Sequence, residues 1–220
     1  MTDSRKDIVK KGYDEMAEAY TSWAISQSSP RTRFTAEILS SATTTAPFIL
    51  ELGCGAGLPI SRMVLDAGAR LIGNDISSTQ IGLAKASCPD KAATFIAEDM
   101  LQLSFPAQNF DGVVAFFSII HLPREEQRSM FEKVYHWMKK GSLFAFNLST
   151  IDQEEMRGEF CGKGMFWSGF GTERSLQIVR EVGFEVVKSE VLDAGEEGKK
   201  LDESDPDYGI QFLWVVVRRP

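Results

Sequence analysis

A chain of 220 residues with 43% apolar and 25% charged side chains suits one soluble domain with a complete core. Its net charge of −7 speaks against a nucleic-acid surface, because phosphate neutralisation needs clustered Lys and Arg. No apolar run approaches the roughly 20 residues of a membrane span, and Met1-Thr2-Asp3-Ser4-Arg5-Lys6-Asp7 carries no apolar leader, so a cytoplasmic protein with no membrane partner is expected. Cys54, Cys88 and Cys161 show neither metal nor redox spacing, which suits a reducing compartment and no metal site.

Residues 4–24 carry a helical stripe, with Val9, Tyr13, Met16, Tyr20 and Trp23 recurring at steps of four and three. Arg5, Lys6, Lys10 and Lys11 read as the solvated face of that helix. Ser28-Ser29-Pro30 ends it, and 31–40 reads as a second helix. Residues 1–45 thus form a helical arm ahead of the first strand, either a lid or plain packing; packing suits Tyr13 better, and Tyr20 suits both.

Residues 48–52 form an apolar strand, and Gly53, Gly55 and Gly57 follow before a helix over 60–67 closed by Gly68. Glycine permits φ > 0 and lets a ligand approach without meeting a Cβ. The following helix start offers unpaired N–H groups, so this turn suits an anionic or polar ligand. A tight strand–helix turn without a ligand would also use these glycines. The dinucleotide fingerprint needs a small residue at position 58, where Leu58 stands.

A second strand over 71–73 leads into Asn74-Asp75, and Ser77-Ser78 caps a helix through Ala86. The third strand, 93–97, ends in Glu98-Asp99-Met100; the fourth, 110–117, is followed by Ser118-Ile119-Ile120-His121-Leu122-Pro123. A helix over 124–139 and a fifth strand over 143–148 follow. Repeated strand–helix units predict a parallel sheet covered by helices on both faces, with ligands at the carboxyl ends of its strands. Glu51, Asp75, Asp99, Ser118, His121 and Asn147 all fall on that edge.

Over 149–171, Phe160, Met165, Phe166, Trp167 and Phe170 stand among five glycines. This excursion leaves from the ligand edge and is either an aromatic cap or a satellite core. A helix over 172–182 precedes strands over 184–192 and 210–217, which, with no helix joining them, must pair antiparallel or leave the sheet. The acids between them, Glu196, Glu197, Asp202, Glu203, Asp205 and Asp207, read as a solvated, mobile loop.

Glu51-x-Gly53-x-Gly55-x-Gly57, with Phe110-Asp111-Gly112-Val113-Val114 opening the fourth strand and a terminal antiparallel strand, resembles class I S-adenosylmethionine (SAM) methyltransferases over nearly the whole chain. It is most similar to the small-molecule branch of ubiquinone- and menaquinone-biosynthesis type, and Met165-Phe166-Trp167-Ser168 resembles a stretch of one subset there. The resemblance implies a single Rossmann-like α/β domain over 1–220, a seven-stranded mostly parallel sheet with an antiparallel last strand, and SAM as cofactor with S-adenosylhomocysteine as product. By it, Asp75 holds the ribose hydroxyls, Ile76 touches the adenine, and Asp99 and Met100 read the adenine edge. Cys54 falls within the cofactor loop with Glu51 and the three glycines. Asp75 could equally cap the helix after Ser77.

The implied chemistry is in-line displacement at a sulfonium methyl, which needs alignment and exclusion of water rather than a metal. Aromatic faces suit a sulfonium, and Tyr20, Phe117 and Trp167 are candidates. Tyr13, Trp23, His121, Asn147, Phe166 and Trp167 are the candidate acceptor contacts. His121, unperturbed near pH 6.5, is the candidate base, although Ile119, Ile120 and Leu122 around it also suit a structural imidazole. Catechol-type enzymes place acidic metal ligands where Ser118 and Asn147 stand here, so a metal-independent transfer to a small organic acceptor, oxygen on general grounds, is expected. Two alternatives stay open: a non-catalytic SAM-binding protein, and a short-chain dehydrogenase using Tyr135-x-x-x-Lys139.

Overall fold

Strands that are apolar on both sides must be covered on both sides, and the topology follows from that need. The computed structural model describes residues 4–26, 29–194, 203, 205 and 207–220. Five strands run parallel: β1 (Phe48–Leu52), β2 (Arg70–Asp75), β3 (Ala93–Ala97), β4 (Phe110–Ala115) and β5 (Met138–Ser149). With β8 (Glu185–Asp193) and β9 (Gln211–Arg218) they form a seven-stranded sheet in the order β3-β2-β1-β4-β5-β9-β8. The last strand, β9, is antiparallel to both neighbours, as the sequence leads one to expect. Ile49, Leu50, Val113, Val114, Phe144, Phe146, Trp214 and Val215 are fully buried in it.

The flanking helices are α1 (Ser4–Ser26), α2 (Arg31–Ser41), α3 (Ile60–Asp66), α4 (Ser78–Ser87), α5 (Arg124–Trp137) and α6 (Gly171–Val182). Ser77 caps α4, its Oγ accepting Gln80 N–H at 3.1 Å. Gly183 ends α6 at φ 114°. Helix α5 stops at Trp137 rather than 139, because Met138 already pairs with Phe110 and β5 runs from there. Gly141 therefore lies inside the strand, where its N–H donates to the Arg219 carbonyl at 2.7 Å.

The excursion after β5 is a hairpin, β6 (Asp152–Phe160) and β7 (Lys163–Phe170), forming its own two-stranded sheet. Its turn residues Cys161 and Gly162 have φ 49° and 71°, the mirror-image turn that matches strand twist. Val9 and Met16 of α1 pack with Met165 and Phe166 of β7 in a second apolar cluster. Gly12 permits the approach: a Cβ there would lie 2.6 Å from Met165 Sδ.

Two expectations about charge are corrected. Arg5 and Lys6 are not a solvated face: Lys6 is 8% exposed and paired with Asp99 and Glu126, and Arg5 reaches Glu125 at 2.5 Å. Lys10 and Lys11 are exposed and pair along the helix with Asp14 and Glu15. In the acidic stretch, Glu196, Glu197 and Asp202 lie outside the described residues, and Glu203 is exposed. Asp205 and Asp207 instead pack inward. Asp205 accepts the Trp23 indole N–H at 3.2 Å, and burial raises the Asp207 carboxyl to about 6.

Gly112 on β4 faces α2 with no space for a side chain: a Cβ would lie 2.5 Å from Ile38 Cγ2 and 3.1 Å from Ile49 Cδ1. Gly112→Ala is expected to lower unfolding free energy by about 1–3 kcal/mol through overpacking, measured by urea titration.

Candidate ligand-binding site

The site begins with the turn after β1. Gly53 and Cys54 both donate their N–H groups to the Asn74 carbonyl, at 2.7 and 2.8 Å, which fastens the turn to the end of β2. Gly53 has φ 74°, and a Cβ there would lie 2.3 Å from Ser118 Cβ, so the chain passes the end of β4 only as glycine. Gly55, at φ 53°, faces an opening, with Tyr20 Cε1 3.9 Å from where its Cβ would be. Gly57, at φ 78°, has different surroundings. Its Cβ would meet Cys88 Sγ at 3.3 Å and Ala84, so it packs against α4 and lines neither the main recess nor the smaller one that adjoins it.

Asp75 serves the turn and the next helix together. Its Oδ2 accepts Gly55 N–H and its Oδ1 accepts Ser77 N–H, each at 2.9 Å. Burial raises it to about 6 against those two hydrogen bonds. Ser77 Oγ donates to Asp14 Oδ1 at 2.6 Å, and Thr79 N–H donates to the same oxygen at 3.2 Å. Although partial burial opposes it, hydrogen bonds from Lys10, Ser77 and Thr79 hold Asp14 at about 2. Helix α1 is thereby tied to the start of α4.

The main recess, about 600 Å³ with its mouth, lies where these elements meet. Helix α1 supplies Lys6, Val9, Tyr13 and Tyr20; the turn supplies Gly53 and Gly55. Asp75 and Ile76 follow β2, Asp99 and Met100 follow β3, and Phe116, Phe117, Ser118 and His121 follow β4. A smaller recess of about 400 Å³ adjoins it, bounded by Tyr20, Arg31, Glu51, Cys54 and Phe116. Glu51 accepts the Ser61 hydroxyl at 2.5 Å, and its burial raises it to about 8.

His121 is buried at 8% exposure. A carbonyl only accepts, so the 2.7 Å contact with the Phe166 oxygen places the proton on Nδ1. Nε2 is then the acceptor for the Tyr13 hydroxyl at 3.0 Å. Burial lowers His121 to about 4, although the Phe166 carbonyl favours the charged form. This corrects the expectation of an imidazole titrating near pH 6.5. Burial also raises the Tyr13 phenol well above its usual range.

Several sequence-predicted contacts lie elsewhere. Asn147 is fully buried and its Oδ1 accepts Phe117 N–H at 2.6 Å, so it holds the turn after β4 instead of facing an acceptor. Phe117 has φ 52°, a conformation costing of order 1–3 kcal/mol for such a side chain. The Phe166 ring is buried in the α1–β7 cluster, and only its carbonyl reaches His121. Trp167 stands behind His121, ring centroids 5.9 Å apart. Trp23 packs on Tyr20 and Phe160 and bounds neither recess. Tyr135 packs on Phe184, and Lys139 pairs with Asp111 where β4 begins, so their dehydrogenase-like spacing makes no site.

Lys6 and Arg31 were missed as site residues. Lys6 shared a basic cluster with exposed lysines, and Arg31 looked like any first residue of a helix, with no signal in the sequence that it lies beside the glycine turn. Ser118 Oγ is buried on the recess wall without a hydrogen-bond partner among the described residues. Among those residues no helix is long and apolar enough to cross a membrane, and no group of three or more His, Cys, Asp or Glu could hold a metal.

Residues 49–141 match the family described as methyltransferase domain. A sterol 24-C-methyltransferase of Gibberella zeae is 27% identical over 165 residues, covering 68% of this chain and 42% of that protein. A phosphoethanolamine N-methyltransferase of Plasmodium falciparum is 30% identical over 114 residues, covering 51% and 43%. The chain thus spans less than half the length of these curated relatives. Among solved structures, magnesium protoporphyrin IX methyltransferase of Synechocystis PCC 6803 with bound SAM has a similar fold, with TM-score 0.70 at 16% identity over 100% of this chain and 99% of that one.

A carboxyl raised from 4.5 to about 8 binds a proton in the folded chain that the unfolded chain has lost, so Glu51 makes stability fall as pH rises through that window. Glu51→Gln keeps an acceptor for Ser61 and removes the titration. Its Tm is expected to match wild type near pH 4.5 and exceed it increasingly toward pH 8, read by calorimetry.

Proposed function

We propose that the chain is a class I SAM-dependent methyltransferase that binds SAM in the main recess and methylates a small organic acceptor enclosed by α1 and the hairpin. The observation that carries this reading is the convergence of Gly55, Asp75, Asp99 and the Tyr13–His121 pair on one recess.

The residues present fit the cofactor. Gly55 offers an open cradle, and Ser118 Oγ a buried hydroxyl with no partner among the described residues. Asp75 and Asp99 would take the ribose and adenine, with Ile76 and Met100 as apolar walls. Arg31 and Glu51 would take the carboxylate and ammonium of the amino-acid end in the smaller recess. Bound there, SAM supplies a methyl already activated on a sulfonium. The chain's own part is to align the acceptor and keep water out.

Tyr13 donates its proton to His121 Nε2, which leaves phenol lone pairs as acceptors for a hydroxyl on the substrate. His121, fixed by the Phe166 carbonyl, holds Tyr13 in place and is neutral before transfer. The proton the acceptor hydroxyl loses passes to the Tyr13 oxygen as the phenol proton moves to His121 Nε2, and from there to solvent. Tyr20 and Phe117 are the aromatic groups suited to a sulfonium, while Trp167 supports His121 from behind. An oxygen acceptor is our reading because Tyr13 can receive its hydrogen bond. The named relatives act on carbon and nitrogen, so the transferred-to atom rests on that hydrogen bond alone. Helix α1 and the hairpin act as covers, and transfer proceeds without a metal, consistent with the neutral Ser118 and Asn147 after β4 and on β5. Three unpaired cysteines suit a reducing compartment.

Release of S-adenosylhomocysteine across a panel of small hydroxylated, amino and carbon acceptors tests the activity; no release with any of them, despite SAM binding, would favour a non-catalytic SAM-binding protein. Asp75→Ala is expected to weaken SAM by about 1.5–3 kcal/mol in calorimetry, since a buried acceptor is lost. Tyr13→Phe is expected to lower kcat by about 10²-fold or more with SAM affinity retained, and EDTA to leave the rate unchanged.

A further inference from the structure

Two tethers from α1 reach residues that line the main recess. One is Tyr13 on His121; the other, at the opposite end of the recess wall, is Lys6 on Asp99. Lys6 Nζ lies 2.6 Å from Asp99 Oδ2 and 2.9 and 3.0 Å from the two carboxylate oxygens of Glu126. The Lys6 and Asp99 side chains are only 10% and 17% exposed. Asp99 Oδ1 meanwhile accepts Leu101 N–H at 3.0 Å, so a hydrogen bond at each oxygen fixes the plane of the carboxylate. One ammonium therefore joins α1, the end of β3 and the first turn of α5.

Helix α1 supplies Lys6, Val9, Tyr13 and Tyr20 to the recess, so movement of this helix widens the way out for a ligand held there. Other ion pairs of the helix, Arg5 with Glu125 and Glu15 with Lys163, involve no residue that lines the recess. Val9 and Met16 make apolar contacts with the hairpin, and Asp14 reaches Ser77 on α4, outside the recess. We propose that Lys6 is the positioning residue that clasps α1 over the nucleoside end of the recess, so that ligand exchange runs through the breaking of the Lys6–Asp99–Glu126 ion pairs. This rests on the reading of the recess as the SAM site.

The clasp has a kinetic signature that an ordinary contact lacks. Loss of an ordinary ligand contact speeds departure alone; loss of a clasp that is closed before binding speeds arrival too. Separated charges are also screened by salt, so opening of the native clasp accelerates with ionic strength.

Stopped-flow binding of S-adenosylhomocysteine to the full chain tests this. Lys6→Met is expected to raise the dissociation rate about tenfold or more, the scale of one charged hydrogen bond, and to raise the association rate as well. The rise of the wild-type dissociation rate with KCl should flatten in the variant. Glu126→Gln removes one acid of the clasp while leaving Asp99 intact, and is expected to show the same changes in smaller measure; it decides the matter if Lys6→Met does not fold. Unchanged rates in a folded variant, or a faster dissociation alone, overturns the proposal. Failure of the wild-type chain to bind S-adenosylhomocysteine at all overturns the SAM-site reading instead.

Discussion

The site depends on one buried carboxylate. Asp75 accepts an N–H from the glycine turn with one oxygen and an N–H from the start of α4 with the other. Through Ser77 the same chain of hydrogen bonds reaches Asp14, and so α1. Three segments far apart in sequence are thereby fixed relative to one side chain. Its position at the end of β2 is set in turn by the parallel pairing of β1 with β2 and by the Asn74 carbonyl, which holds the glycine turn. A sheet with buried faces tolerates no slip of register, so the carboxylate inherits the precision of the core.

Burial raises three acids of the chain above the usual carboxylate range. Glu51 is pushed up to about 8, and Asp75 and Asp207 each to about 6. A positively charged ligand brought beside Glu51 and Asp75 favours their ionised forms by direct attraction, opposing the effect of burial, and they release protons as it binds. On the proposed reading the ligand brings a sulfonium and an ammonium, both of the required sign. His121 shows the same physics in reverse, because burial favours its neutral form and keeps an additional positive charge out of the recess.

Much of this was legible in the sequence because it followed from short-range chemistry. The glycine spacing, the Ser77 cap, Gly183 at the end of α6 and the antiparallel pairing of β8 with β9 are each determined within a few residues or by the absence of a connecting helix. What was hidden depends on partners distant in the chain. Lys6 looked solvated because its two acids, Asp99 and Glu126, lie 93 and 120 residues away. Asn147 stood on the correct edge, yet the Phe117 turn captured its amide. The excursion after β5 looked irregular because the glycines obscured its alternation, and the turn at Cys161-Gly162 was its only strong punctuation. Gly57 looked like the other two glycines, and only the proximity of Cys88 separates its surroundings from theirs.

The contact between Phe166 and His121 is made by main chain, while the ring of Phe166 is turned away into a separate apolar cluster. A carbonyl is common to every amino acid, so the imidazole keeps its tautomer whatever residue occupies position 166. The hairpin pairs its strands only with each other and shares no ladder with the seven-stranded sheet. Its surface can therefore diversify without disturbing the proton arrangement at His121. The side chains of the hairpin and the tautomer of His121 are thus separable under mutation, because the hydrogen bond that joins the hairpin to the imidazole is made by main chain.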